Sequence, residues 1–218
     1  MTKARQGWLA AAIAVIVVLL DQILKIWVKI SFYLGESVHI TDWFQLFFIE
    51  NNGMAFGMEL GSKLILTLFR IVAVAGLVYY MWRLLRPGVL SVKTGFLVCI
   101  ALVTAGAAGN IFDCLFYGLI FNNPMPPEVA QFLPPDGGYA PLFHGKVVDM
   151  LYFPLFSFDW PSWMPFVGGQ HFLFFQPVFN LADAAISCGI IVLILFYHNY
   201  VLSPSALSRL GEEQPDVK

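Results

Sequence analysis

The sequence is short of charge, short of cysteine and free of the motifs that mark the common hydrolases. Only 12% of its 218 residues are charged, 59% are hydrophobic, and the mean hydropathy is +0.74. Soluble domains carry about 25% charged residues, so this shortage excludes an ordinary water-soluble globule and points to an integral membrane protein. A net charge of −2 without basic runs excludes a polybasic lipid anchor and a nucleic-acid surface. Cys99, Cys114 and Cys188 are an odd, scattered set in apolar stretches. They form no disulfide framework and no zinc-site spacing, and read as small buried hydrophobes. His39, His144, His171 and His198 are scattered too, so no metal or other cofactor is expected. H-E-x-x-H and G-x-S-x-G are missing, as are internal repeats and the inverted symmetry of transporters.

What the chain has is long apolar runs. A bilayer core takes about 20 apolar residues in a helix. Four segments qualify, at about 8–30, 62–85, 94–119 and 177–202. The first, after Lys3 and Arg5, has the start of a signal peptide but no small-residue cleavage site. It runs on through "DQILKIWV" and is read as a retained first helix. Lys3, Arg5, Arg83, Arg86, Lys93, Arg209 and Lys218 fall on one side of the spans, and Lys29, Lys63 and Lys146 on the other. By the positive-inside rule both termini are cytoplasmic, and the long connections, about 31–61 and 120–176, lie outside. The first connection has β-branched and aromatic residues for short strands and a turn signal at Asn51-Asn52-Gly53. The second is rich in proline and then in aromatics, and its tryptophans suit the headgroup level. The fold class is therefore an all-α integral membrane protein, a single embedded domain of residues 1–218 with a small outer sheet.

Charge inside a span is costly, about 2.5–3.5 kcal/mol for an Asp at the centre on insertion scales. It therefore usually faces a protein interior and serves a function. Yet every span carries polar residues: Asp21 and Lys25, Arg70, Asn110 and Asp113, Asn180 and Asp183. At 1.5 Å per residue they fall roughly 8–14 Å from the outer helix ends. The i,i+3 and i,i+4 spacings put each pair on one face. Asp21 with Lys25 is most simply an intrahelical ion pair, Arg70 a snorkelling side chain, and the asparagines helix–helix hydrogen-bonding residues. Asp183, with no basic residue within a turn, resists such an explanation. Carboxylate-pair chemistry fits it: two close carboxylates share a proton, one activating water while the other protonates the substrate. Asp149, in the apolar "VVDML" of the second outer connection, and Asp113 are the candidate partners, and residue physics leaves both open.

The ordered set "DQILK" (21–25), "NNGMAFG" (51–57), "GNIFD" (109–113), "GKVVDM" (145–150) and "FNLAD" (179–183) resembles the bacterial lipoprotein signal peptidases, signal peptidase II. The resemblance spans all four helices. It implies a four-helix aspartyl endopeptidase with an extracytoplasmic β-cradle in the bacterial cytoplasmic (inner) membrane, its active site toward the outer face. It implies cleavage of prolipoproteins before the diacylglyceryl-modified lipobox cysteine, membrane lipids as surroundings, and globomycin-type inhibitors. Carried over by position, the catalytic pair is Asp149 and Asp183. Asp21, Lys25, Asn51, Gly53, Asn110, Asp113 and Asn180 take supporting positions around the substrate. Two departures stand out. Cys114 occupies a position where the family commonly has Arg, with Lys146 and Arg70 as the candidate substitutes. Asp113 and Asp149 lie 36 positions apart where the family's motifs are nearly contiguous, so about 116–143 reads as an insertion, and about 154–172 as a second.

Overall fold

The computed structural model describes residues 1–52, 63–87 and 92–202, without the side chains of 199–202. Its elements run α1 (Lys3–Ser31), β1 (Ser37–Thr41), β2 (Phe44–Asn51), α2 (Lys63–Leu85) and α3 (Thr94–Phe112). A π-helical turn (Asp113–Tyr117) and a short α4 (Gly118–Ile120) extend α3; then come β3 (Val147–Tyr152), β4 (Phe156–Asp159), β5 (His171–Phe174), β6 (Val178–Phe179) and α5 (Leu181–Leu202). Four helical stretches are long and apolar enough to cross a membrane: α1, α2, α3 with its extension, and α5. The chain is mostly helical, with a four-stranded and a two-stranded sheet. The described residues form two compact units. One draws on residues 1–22, 63–87, 92–112 and 181–202; the other on 23–52 and 113–180.

In the helical unit α3 is the most buried span, and small residues explain how it gets there. A Cβ on Gly106 would lie 2.2 Å from the Ala182 carbonyl oxygen, and one on Gly189 would lie 2.8 Å from that of Cys99. Helices in a bilayer gain little from hydrophobic burial against each other, so close backbone approach at small residues carries their packing. Gly106→Ala is accordingly expected to force α3 and α5 apart and cost about 1–3 kcal/mol, read as a lower thermal midpoint in detergent. At the other end of α3, Leu84, Val92, Phe96, Leu97 and Ile100 form a second apolar core. The Gln6 amide ties α1 to this region by donating to the Val92 carbonyl at 2.8 Å. The outward faces of α1, α2 and α5 stay apolar, as at Ile16, Phe69 and Ile194, which suits lipid contact.

The second unit is built on the antiparallel sheet β1-β2-β3-β6. β3 is buried over Val147–Met150, which is why its sequence lacks the alternation of a half-exposed strand. Val148 and Met150 join Val28, Phe32, Phe48, Tyr117 and Phe121 in the core, while Asp149, on the alternate phase, does not. β2 pairs with β3 so that Ile49 faces Asp149 and Asn51 faces Val147. The connection between α4 and β3 folds back on itself. Leu133, Tyr139 and Ala140 donate backbone N–H groups to the carbonyls of Ile120, Phe121 and Gly118.

The fourth span begins four residues later than hydropathy suggests. Val178 and Phe179 are strand residues paired with Tyr152 and Leu151, and the helix starts at Leu181. Asp183 therefore sits in its first turn, at the helix end, rather than well inside a longer span.

Candidate active site

Asp149 is 2% exposed, and asparagine amides meet both of its carboxylate oxygens. The Asn180 amide nitrogen donates to Oδ1 at 2.7 Å and to the Val148 carbonyl at 3.2 Å. The Asn51 amide, at the end of β2, donates to Oδ2. Register explains the second contact: Asn51 stands opposite Val147, two residues from Asp149. Neutral amides hold the carboxyl group by directed donors while adding no formal charge.

The π-helical turn places the next layer. Its widened turn frees the Cys114 carbonyl to accept from the Gly145 N–H at 2.9 Å. That bond draws the chain entering β3 against the turn so closely that a Cβ on Gly145 would lie 2.1 Å from the Asp113 carbonyl oxygen. Asp113, fully buried at the start of the turn, pairs with Lys25 at 2.7 Å. Its Oδ2 also lies 3.5 Å from the Val148 N–H, next to Asp149. Cys114 is fully buried in the same turn.

In the helical unit, the Asn110 amide donates to Asp183 Oδ1 at 2.8 Å. Asp21 accepts from the Ala182 N–H at 2.9 Å and from the Gln22 amide at 3.1 Å. A Cβ on Gly109 would fall 2.8 Å from Asp21 Oδ2, so glycine there leaves room for the carboxylate. Asn51 and Asn180 thus meet Asp149, Lys25 meets Asp113, and Asn110 meets Asp183. Gly53 lies outside the described residues. Among those described, no three His, Cys, Asp or Glu side chains are grouped to hold a metal ion.

One cluster escaped the sequence reading. Lys29 is 1% exposed and pairs with Glu50, which also takes the Lys146 ammonium at 3.1 Å. The Lys29 ammonium lies 5.3 Å from the Phe121 ring centre and 5.4 Å from that of Tyr139, distances at which a cation is attracted to the ring face. Lys29 counted only as an outer charge in the topology, although it follows Lys25 by one helical turn. Glu50 immediately precedes Asn51, so this cluster anchors the strand end that holds Asp149.

Tyr139 brings the connection between α4 and β3 into that cluster, its hydroxyl accepting from the Lys146 N–H at 2.6 Å. Burial pushes its phenol up, well above the usual 10. Below pH 10 the raised value costs nothing. Above it the unfolded phenol loses its proton first, and stability falls by up to about 1.4 kcal/mol per pH unit. Tyr139→Phe is expected to lose about 1 kcal/mol at pH 7 with its hydrogen bond. It should lose less than wild type between pH 9 and 11, as read from thermal midpoints.

A family model described as signal peptidase (SPase) II matches residues 13–199. The chain belongs to the signal peptidase II family. A "Lipoprotein signal peptidase" of Porphyromonas gingivalis is 49% identical over 90% of this chain and 86% of its own length. One from Amoebophilus asiaticus is 37% identical over 89% of this chain and 79% of its own. Two solved structures, both described as bacterial membrane enzymes obtained by the in meso method, share the fold. The 1.9 Å structure aligns with a TM-score of 0.56 and 23% identity over 89% of this chain and 93% of its own. The 2.3 Å structure aligns with a TM-score of 0.58 and 22% identity over 96% and 94%. Signal peptidase II membership and four apolar helices make this a multi-pass membrane protein.

Proposed function

We propose that the protein is an aspartyl endopeptidase that removes signal peptides from diacylglyceryl-modified prolipoproteins, cutting before the modified lipobox cysteine. Asp149 and Asp183 are the catalytic carboxyls, and between them they hold one proton. The ionised one takes a proton from water as the water oxygen attacks the scissile carbonyl carbon. The protonated one gives its proton to the carbonyl oxygen. Collapse of the tetrahedral diol breaks the C–N bond: the leaving amine takes one proton from the pair while a diol hydroxyl returns one to it, so the pair ends with the single proton it began with. The observation that carries this reading is chemical and local. Asn180, whose amide donates to Asp149, stands three positions before Asp183 in the same segment. Asp183 in turn has its own amide donor in Asn110.

Asn51, Asn110 and Asn180 orient the carboxyl groups; Lys25 with Asp113 and Asp21 with Ala182 support the segments that carry them. The substrate's apolar signal helix and acyl chains enter sideways from the bilayer, and the Lys and Arg distribution puts both termini in the cytoplasm. The test is cleavage by purified protein in detergent of a lipobox peptide with and without the diacylglyceryl group. Cleavage of the modified peptide alone, before its cysteine, is expected. A folded protein that leaves the modified peptide intact would overturn the reading.

A further inference from the structure

The β4–β5 hairpin overlaps the stretch 154–172 that reads as a second insertion, and nothing in the proposed chemistry uses it. Its register makes it two-faced. Phe156 pairs with Phe174 and Phe158 with Phe172, while the alternate pairs are Ser157 with Leu173 and Asp159 with His171. Side chains alternate along a strand, so one face is wholly aromatic and the other largely polar. On the aromatic face the Phe156 and Phe174 rings stack at 4.8 Å, and Trp160 extends the row edge-on to Phe158 at 4.9 Å. On the polar face His171 and Asp159 bond at 2.7 Å. Two-stranded hairpins are marginal in water on their own, yet every residue of β4 is exposed.

The tip points the same way. Trp163 is 79% and Phe166 97% exposed. Phe166 has a φ of 70°, a left-handed conformation that costs a non-glycine residue of order 1–3 kcal/mol. The loop is not loose: Met164 and Gly168 donate to the Pro161 and Met164 carbonyls, and Trp160 and Gly169 bond across its base. A hydrogen-bonded loop thus holds two large apolar side chains outward.

We infer that this hairpin is a lipid-binding element, its aromatic face and its Trp163–Phe166 tip seated in the headgroup region of the bilayer that the helices span. Amphipathic aromatic side chains favour that region. Between Phe153 and Asn180 there is no Lys or Arg, and the one acidic residue, Asp159, is bonded to His171. The occupant is therefore a bilayer surface recognised by apolar and aromatic contact, not by its anionic charge. A separate aromatic stack lies at the main sheet, where Phe153 stacks on Phe44 at 4.9 Å and on Phe179 at 5.6 Å. The inference stands independently of which bond the protein cuts.

Spin labels on the full chain in phosphatidylcholine nanodiscs test it, at Phe158→Cys, Phe166→Cys and Ser157→Cys in a Cys188→Ser background. Cys99 and Cys114 are buried and Cys188 is exposed. Positions 158 and 166 should admit oxygen and exclude a water-soluble nickel complex, and position 157 should do the reverse. Adding phosphatidylglycerol should leave the pattern unchanged. Nickel access at 158 and 166 equal to that at 157 would overturn the inference. So would exclusion of both reagents, which signals a protein partner or a second copy, or a pattern that needs the anionic lipid. Should the labelled variants misfold, brominated lipid should quench a fluorescence component present in wild type and lost in Trp163→Phe. No such component would equally refute the inference.

Discussion

Asp183→Asn should lower cleavage of the diacylglyceryl-modified peptide by about 10²- to 10⁴-fold, the usual contribution of a positioned acid or base. Asp183 Oδ1 accepts from the Asn110 amide, and an asparagine oxygen at that place can accept the same bond. Asp149→Asn should cost at least as much activity but also some stability. Both Asp149 oxygens accept from amides, of Asn180 and Asn51. A carboxamide has one acceptor oxygen, so its NH₂ would face another donor, a conflict worth about 1–3 kcal/mol. Initial rates and thermal midpoints measured together separate the two effects. Retention of more than a tenth of the wild-type rate by a folded Asp183→Asn protein would remove that residue from the catalytic pair.

Much of this fold was legible in the sequence because hydropathy over a 20-residue window is a strong signal. α2 lies within one residue of its expected bounds, and α1 ends one residue beyond its expected end but starts five residues earlier. The start of α5 was misjudged because hydropathy cannot distinguish an apolar strand residue from an apolar helix residue. Val178 and Phe179 become strand only through pairing with β3, a long-range contact. The same limit hid Lys29. Its partner Glu50 is 21 positions away, and Phe121 and Tyr139 come from a long irregular connection whose path no local pattern describes. Asn110 and Asp113 stand three positions apart, a spacing read as one face, but each has a partner from another segment. Asn110 bonds Asp183, while Asp113 opens a π-helical turn and pairs with Lys25.

Lys25→Met is expected to destabilise the protein by about 3–5 kcal/mol, the cost of removing one member of a buried ion pair. Both side chains are fully buried, with Nζ and Oδ2 at 2.7 Å. The substitution leaves the Asp113 carboxylate in a low-dielectric interior without that ammonium, and an isolated buried charge is expensive. The double variant Lys25→Met/Asp113→Leu removes both charges and should recover most of the lost stability, since apolar replacements of buried pairs are often neutral or better. Activity should not recover with it. Asp113 begins the π-helical turn against which Gly145 docks, and its carboxylate faces the Val148 N–H beside Asp149. A stable double variant with low turnover would mean that the pair positions the segment carrying Asp149. Recovery of both properties would make the pair a dispensable contributor to folding. A single Lys25→Met variant costing less than about 1 kcal/mol, no more than an exposed pair, would sink the premise that Lys25 holds the Asp113 charge in the membrane.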